Sequence, residues 1–387
     1  MKDFSKKLLS WYCQSARDLP WRRTKDPYKI WISEVMLQQT TVNAVIPYYE
    51  RWIKEFSTVQ DVAAAPSRKI LKFWQGLGYY SRAKNIHKAA QIICKEYQGK
   101  LPDSPDVIRK LPGFGPYTTG AVLSIAFNQR LPIIDANVRR VVMRFLAIEG
   151  YADTSQDDRI NEFLSETLPR KNAGDFNQAL MELGALVCRN REPVCLLCPV
   201  RENCRAREKG IQEIIPTPKK KEIKNIEAVV GILKKDGRYF IQKRPPKGLL
   251  ADLWEFPGGK IEKGESPQEA LRRELREEAG IAIESARHFM DVTHFYTRFK
   301  VNLNVFLCES SQYPKLDKTR RFAALKDLAK YPMPSGSAKI VERLLKNERL
   351  EIEDFVLGSL AKDRAVKSKP SDYLDLKEIK RKYNPSQ

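Results

Sequence analysis

The feature that most restricts how this chain can fold is a cysteine set, Cys188-x6-Cys195-x2-Cys198-x5-Cys204, with Pro193 and Pro199 stiffening the loop that carries it. Four thiols on so short a loop can close around one compact object. Soft thiolate ligands suit zinc or an iron-sulfur cluster. Zinc ribbons present two paired C-x2-C knuckles, whereas only one occurs here, so the spacing favours a [4Fe-4S] cluster. The total of 7 cysteines is odd, which argues against a disulfide framework and for a reducing compartment. Cys13, Cys94 and Cys308 are expected to pack as small apolar residues.

A chain of 387 residues exceeds one ordinary domain, and at roughly 150 residues per domain it should form two or three. Its 42% hydrophobic and 10% aromatic content is enough to build cores, which excludes wholesale disorder. No apolar run approaches the roughly 18 residues of a bilayer span, and the opening Met1 to Lys7 lacks the apolar stretch of a secretory signal. A soluble protein of the cytosol, with no membrane partner, is expected. The balance of 69 Lys and Arg against 48 Asp and Glu leaves a net charge of +21, a field that attracts polyanions, nucleic acid first among them.

Residues 1–215 read as mostly helical. Windows such as Val122 to Phe127 and Leu180 to Leu186 repeat apolar residues at helical spacing, with Pro and Gly as punctuation. Pro216-Thr217-Pro218 followed by a lysine run predicts an extended linker over 216–224. Beyond it, Ala228 to Leu233 and Arg238 to Ile241 flank Asp236-Gly237, the signature of a hairpin. A helix is expected at about 266–279, and Val301 to Leu307 alternates as a half-buried strand does. The second domain, 225–350, is therefore α+β. Residues 351–387 form a charged tail with weak periodicity.

Ser104-Pro105-Asp106 resembles a helix start, and the helix runs into Leu111-Pro112-Gly113-Phe114-Gly115 before Pro116 opens the next. Glycines at 113 and 115 leave backbone N–H groups free beside a helix N-terminus, a geometry that grips phosphate without reading a base. This is a helix-hairpin-helix pattern.

Several further strings stand in order along the chain: Leu19-Pro20-Trp21-Arg22, Ser33-Glu34-Val35-Met36-Leu37-Gln38-Gln39-Thr40, Gly76-Leu77-Gly78-Tyr79-Tyr80, Asp135-Ala136-Asn137-Val138 and Leu183-Gly184-Ala185. With the hairpin and the four cysteines, they resemble the adenine DNA glycosylases of the MutY family over about 205 residues. The resemblance implies a helix-hairpin-helix glycosylase domain that removes adenine mispaired with 8-oxoguanine or guanine in double-stranded DNA and binds a [4Fe-4S] cluster through the loop at 188–204. It implies Glu34 as general acid, also handling the attacking water, and Asp135 as the group that stabilises or captures the sugar cation. Asn137 and Tyr117 match positions that orient these two. Where bifunctional relatives carry a Schiff-base lysine this chain has Tyr117, a phenol that cannot form the adduct, so a monofunctional enzyme is expected. Tyr79 and Gln39 match positions that fill the place of an extruded base; Arg17, Trp21, Arg22 and Leu37 match the base pocket or the strand.

The second half resembles a Nudix hydrolase of the MutT type. Gly259-x5-Glu265-x7-Arg273-Glu274-Leu275-Arg276-Glu277-Glu278-Ala279-Gly280-Ile281 satisfies the full Nudix box, which MutY proteins usually lack. Glu274, Glu277 and Glu278 fall at i, i+3, i+4 and share a helix face that could hold Mg²⁺ beside a diphosphate. The resemblance adds Glu309 as a further metal position and Arg244 as a phosphate contact. The Phe-Ser-His element through which the family contacts 8-oxoguanine appears here as Tyr296-Thr297-Arg298; Thr297 keeps a hydroxyl and the imidazole is missing.

The sequence thus points to a monomeric two-domain repair glycosylase of the bacterial cytosol and nucleoid. Two alternatives accompany this reading. In one the protein also hydrolyses nucleoside triphosphates through an active Nudix domain; in the other it is a non-catalytic DNA-binding sensor that uses the cluster as its redox element.

Overall fold

The computed structural model describes residues 2–218, 223–296 and 299–350. Thr297 and the segment 351–387 lie outside them. The chain divides into two compact units: the first runs to Asn225 and includes Arg244–Leu253 and the described residues of 295–300, and the second holds the described remainder.

The first unit is helical, with α1 (Lys2–Ser15), α2 (Pro27–Leu37), α3 (Val42–Glu55), α4 (Val59–Ala64), α5 (Ser67–Trp74) and α6 (Ser81–Glu96) ahead of the hairpin. After them come α7 (Pro105–Ile108), α8 (Pro116–Phe127), α9 (Ala136–Leu146), α10 (Asp157–Thr167), α11 (Ala173–Leu186) and α12 (Arg205–Glu208). Three helices are buried over most of their surface and therefore central. In α8 every residue from Thr118 to Ile125 is buried, α2 buries Ile30 through Met36, and most of α11 is buried.

Two hydrophobic cores fill the unit. One gathers Trp31, Trp52, Trp74 and the α6 and α8 faces; the other gathers Phe4, Val138, Val142, Phe176 and Leu183 from α1, α9 and α11. Met181 packs against both. The helices enter at sequence-coded points: Asp26 accepts from Tyr28 N at 2.9 Å ahead of Pro27, and Asp135 accepts from Val138 N at 2.6 Å at the start of α9. Ser104 departs from expectation. Its side chain makes no capping bond, and α7 is a single turn that the hairpin ends.

In the second unit β1 (Lys224–Lys235), β2 (Arg238–Lys243), β3 (Trp254–Glu255), β4 (Ser285–Tyr296), β5 (Phe299–Glu309) and β6 (Arg320–Ala324) form a sheet of order β3-β2-β1-β5-β4, with β6 also paired to β2. Lys235 pairs with Arg238 across Asp236 and Gly237, whose φ values of 47° and 72° are those of a two-residue primed turn. β1 is buried on both faces. Val229 and Leu233 meet α13 (Pro267–Ala279) through Leu271 and Leu275, while Val230 and Ile232 meet Ile340, Val341 and Leu344 of a helical stretch over 335–350. A capping box of Ser266 and Glu269 starts α13, and Gly280 in the left-handed region ends it. The short α14 (Leu325–Leu328) follows β6.

Candidate active site and metal-ligating groups

A cavity of about 160 Å³ opens beside Met181, where the two cores of the helical unit meet. Glu34, Tyr117, Asp135 and Asn137 line it, although Glu34 and Asp135 lie far apart in sequence, on α2 and at the start of α9. Arg17, Trp21, Arg22 and Leu37 complete its wall. All eight residues that the sequence assigned to catalysis or to the base pocket therefore share one space. Close packing accounts for part of this convergence. A Cβ at Gly184 of α11 would stand 2.6 Å from Asn137 Cβ and 3.1 Å from its Cα, so only glycine lets α11 approach the start of α9 so closely.

The two acids are in unlike surroundings. Glu34 is 4% exposed, within the buried run Ile30 to Met36 of α2, and its carboxylate accepts one hydrogen bond, from Tyr117 Oη at 2.6 Å. Burial pushes its pKa up to about 7, with the charge of Asp135 adding to the rise; the Tyr117 hydroxyl and Arg22 pull it down. Asp135 is also raised by burial, but the Val138 and Asn137 backbone N–H groups, the Asn137 side-chain amide at 2.9 Å and the charge of Arg140 all favour its ionised form. Arg140 in turn donates to Asn137 Oδ1 at 2.9 Å and to the carbonyls of Gly184 and Cys188. One carboxyl can thus carry a proton near neutrality while its neighbour has the donors a carboxylate needs.

Sequence reading missed a third carboxyl in the cavity. Glu182 is 1% exposed and accepts from Arg17 N at 3.0 Å, Arg17 Nε at 2.8 Å, an Arg17 terminal nitrogen at 2.7 Å and Arg22 at 2.9 Å. Those donors outweigh its burial and hold its pKa down at about 2, so it is a fixed anion that aims two arginines along the wall. Gln178, Met181 and Ala185 join it on one face of α11. The spacing 178, 181, 182, 185 is itself helical, a signal that was present in the sequence.

Four proposed DNA contacts lie outside the cavity. Gln39 and Tyr79 sit on loops in the left-handed region, at φ 56° and 46°, and Gly113 and Gly115 are exposed at the hairpin ahead of α8. Thr297 falls outside the described residues.

Cys188, Cys195, Cys198 and Cys204 surround a space of about 30 Å³, together with Arg144, Arg201 and Arg207. An Arg144 terminal nitrogen lies 3.4 Å from Cys188 Sγ, and burial pushes the Cys198 thiol up to about 12. Among the described residues no three His, Cys, Asp or Glu side chains are placed to share a single metal ion. Four thiols around one space are the soft donor set that zinc or an iron-sulfur cluster takes.

The acidic helix of the second unit differs from expectation. Glu274 and Glu277 are held by Arg273 at 2.9 and 3.3 Å, and Arg273 also binds Glu265 at 2.7 Å. Glu278 accepts from Gln242 Nε2 at 2.5 Å and Gly258 N at 3.2 Å. Glu309 does not join them. It ends β5, accepts from Ser285 Oγ at 2.7 Å and lines a separate cleft of about 830 Å³ with Lys234 and Arg287. Among the described residues the four carboxylates are not gathered around one ion. Arg244 donates from Nε to the Leu249 carbonyl at 3.1 Å.

A family profile described as "HhH-GPD superfamily base excision DNA repair protein" matches residues 32–170, and one described as "NUDIX domain" matches 228–343. The chain is 33% identical to the adenine DNA glycosylase of Buchnera aphidicola from Acyrthosiphon pisum, over 89% of this chain and 98% of that one. It is 34% identical to the human adenine DNA glycosylase, over 78% of this chain and 66% of that one. It belongs to the adenine DNA glycosylase family. Among solved structures, a thermostable thymine-DNA glycosylase is similar at 30% identity and a TM-score of 0.48, covering 53% of this chain and 95% of that one. No helix among the described residues is long and apolar enough to cross a membrane.

Proposed function

We propose that the chain hydrolyses the N-glycosidic bond of adenine lying opposite 8-oxoguanine or guanine in double-stranded DNA, as a monomer acting on chromosomal DNA in the cytosol. The observation that carries this reading is the pair in one cavity: a proton-bearing Glu34 with a pKa near 7 beside an Asp135 furnished with three donors. Adenine is a poor leaving group until N7 is protonated. Glu34 gives that proton, the C–N electron pair leaves with the base, and the sugar acquires the positive charge that the Asp135 carboxylate stabilises or traps. Glu34, now a carboxylate, takes the proton of the attacking water. Asn137 and Tyr117 hold the two acids in place.

Arg17, Trp21, Arg22 and Leu37 line the path of the base. Gln39 and Tyr79 fill the place it leaves, and Gly113 and Gly115 present amides to a phosphate. Tyr117 supplies no amine, so borohydride should trap no covalent DNA adduct. Cys188, Cys195, Cys198 and Cys204 would hold a [4Fe-4S] cluster, which when bound supplies a rigid anchor for the arginine-bearing loop; about four irons per chain and absorption near 400 nm are expected. A sensor without catalysis has no use for a carboxyl poised near neutrality.

The Nudix helix is proposed as scaffold, and Thr297 is proposed as a contact to DNA. What supports the scaffold reading is that Arg273 ties Glu265, Glu274 and Glu277 together while Gln242 and Gly258 hold Glu278. The deciding experiment is single-turnover adenine release on duplexes that differ only in the base across from adenine. Equal rates for thymine, guanine and 8-oxoguanine would refute the stated specificity, and no release from any of them would refute the enzyme.

A further inference from the structure

Arg82 does not line the cavity, yet its guanidinium makes an unusual set of bonds. It leaves the first turn of α6 and is 8% exposed. One terminal nitrogen donates to the carbonyls of Val35, Met36 and Gln38 at 2.8, 3.0 and 2.5 Å. The other donates to the carbonyls of Leu77 and Gly78 at 2.9 and 3.3 Å and to Thr40 Oγ1 at 3.4 Å. The first set is the end of α2, which runs into Gln39; the second is dominated by the turn that carries Tyr79. The guanidinium also lies 5.2 Å from the Trp74 ring and 5.5 Å from the Tyr79 ring.

This placement runs against two ordinary preferences. A cation is disfavoured in the first turn of a helix, and a buried charge is costly without a counter-ion. Arg82 is compensated by carbonyl dipoles, including the orphaned carbonyls at the C-terminal end of α2, and burial lowers it to about 10. What the arrangement achieves is local. Each loop contains a non-glycine residue in the left-handed region, Gln39 and Tyr79, a conformation that persists only where the surroundings enforce it.

We propose that Arg82 is the positioning residue of base extrusion, clamping the Gln39 and Tyr79 loops into one rigid element so that both side chains enter the duplex together. The proposal rests on the reading of those two side chains as the ones that replace the extruded base. A planar fork can serve both loops at once; a lysine ammonium can serve only one.

The test is a double-mutant cycle on the full-length protein, with extrusion read from 2-aminopurine fluorescence beside the target adenine and cleavage blocked by Glu34→Gln. Arg82→Met should lower the extruded fraction roughly tenfold, and Gln39→Ala/Tyr79→Ala by a similar factor. Adding Arg82→Met to that double variant should lower it no further, and Arg82→Lys should fall between. With Glu34 intact, Arg82→Met should slow adenine release by the same factor with its pH midpoint unmoved. Equal losses in both backgrounds would mean that Arg82 merely supports the fold, and would overturn the proposal. If Gln39→Ala/Tyr79→Ala leaves extrusion intact, the reading of the two loops fails first and takes the proposal with it, a result distinguishable from additivity. Should Arg82→Met not fold, Arg82→Lys and Arg82→Gln carry the same cycle, and additivity in either overturns the idea.

Discussion

The cavity of the helical unit and the acidic helix of the second unit both gather glutamates, and Glu34 of the first and Glu265 of the second are treated in opposite ways. Glu34 is enclosed, has one hydrogen-bond donor and is pushed up to about 7. Glu265 is half-buried at the surface, bound by Arg273 and held down at about 2. An acid does chemistry near neutral pH where its surroundings leave the ionised form under-compensated; an acid saturated by an arginine fork does architecture. Recognising a motif's carboxylates therefore does not reveal which of these roles they have.

The sharpest way to break that contrast is Glu34→Gln. Adenine release should fall by about 10²–10⁴-fold while duplex binding persists. The same variant should also be more stable than the parent at alkaline pH. Below pH 4.5 Glu34 is protonated in both folded and unfolded chains and contributes no difference; as pH rises from there to about 7, the unfolded chain ionises and the native one resists, so native stability is lost. Glu34→Gln removes that penalty, on the order of 3 kcal/mol above pH 8, measurable by urea titration at pH 5 and pH 8. Equal gains at both values would contradict a raised carboxyl.

A second prediction tests geometry. Gly184→Ala should slow adenine release by roughly 10²-fold, because Asn137 must retreat from the new methyl and carry Asp135 with it. An unchanged rate would show that the α9 start is not held by this contact. The third concerns pH. Single-turnover release should decline as pH rises through about 7, and Tyr117→Phe should move the decline to higher pH, since the phenol hydroxyl favours the Glu34 carboxylate. A shift to lower pH would reverse the assigned role of Tyr117. The smallest effects belong to the second unit. With Mg²⁺, no nucleotide in a triphosphate panel should release pyrophosphate, and Arg273→Met should lower the melting temperature by a few degrees at most without touching adenine release. Turnover abolished by Glu277→Gln would make that helix a second active site.

Much of the fold was legible because local rules were obeyed. Asp236-Gly237 specified a primed turn, Ser266 and Gly280 bounded α13, and the cysteine spacing announced a closed loop. Ser104 shows where such rules stop, since the hairpin cut its helix to one turn. Within the site, motif order identified Glu34 and Asp135, but Glu182 and Arg82 went unnoticed. Their importance lies in what faces them: two arginines from the α1–α2 connection for Glu182, and for Arg82 the carbonyls of the remote end of α2 together with those of the turn just before α6.

By itself the sequence determined which side chains were available, where helices and turns begin and end, and which ligand types sit on the cysteine loop, since these depend on neighbours within a few residues. Only the tertiary structure decided that Glu34 holds its proton near neutrality, that Glu309 stands apart from the acidic helix, and that Arg82 joins two loops. Desolvation and hydrogen-bond geometry are properties of what surrounds a group in space, and residues remote along the chain supply those surroundings.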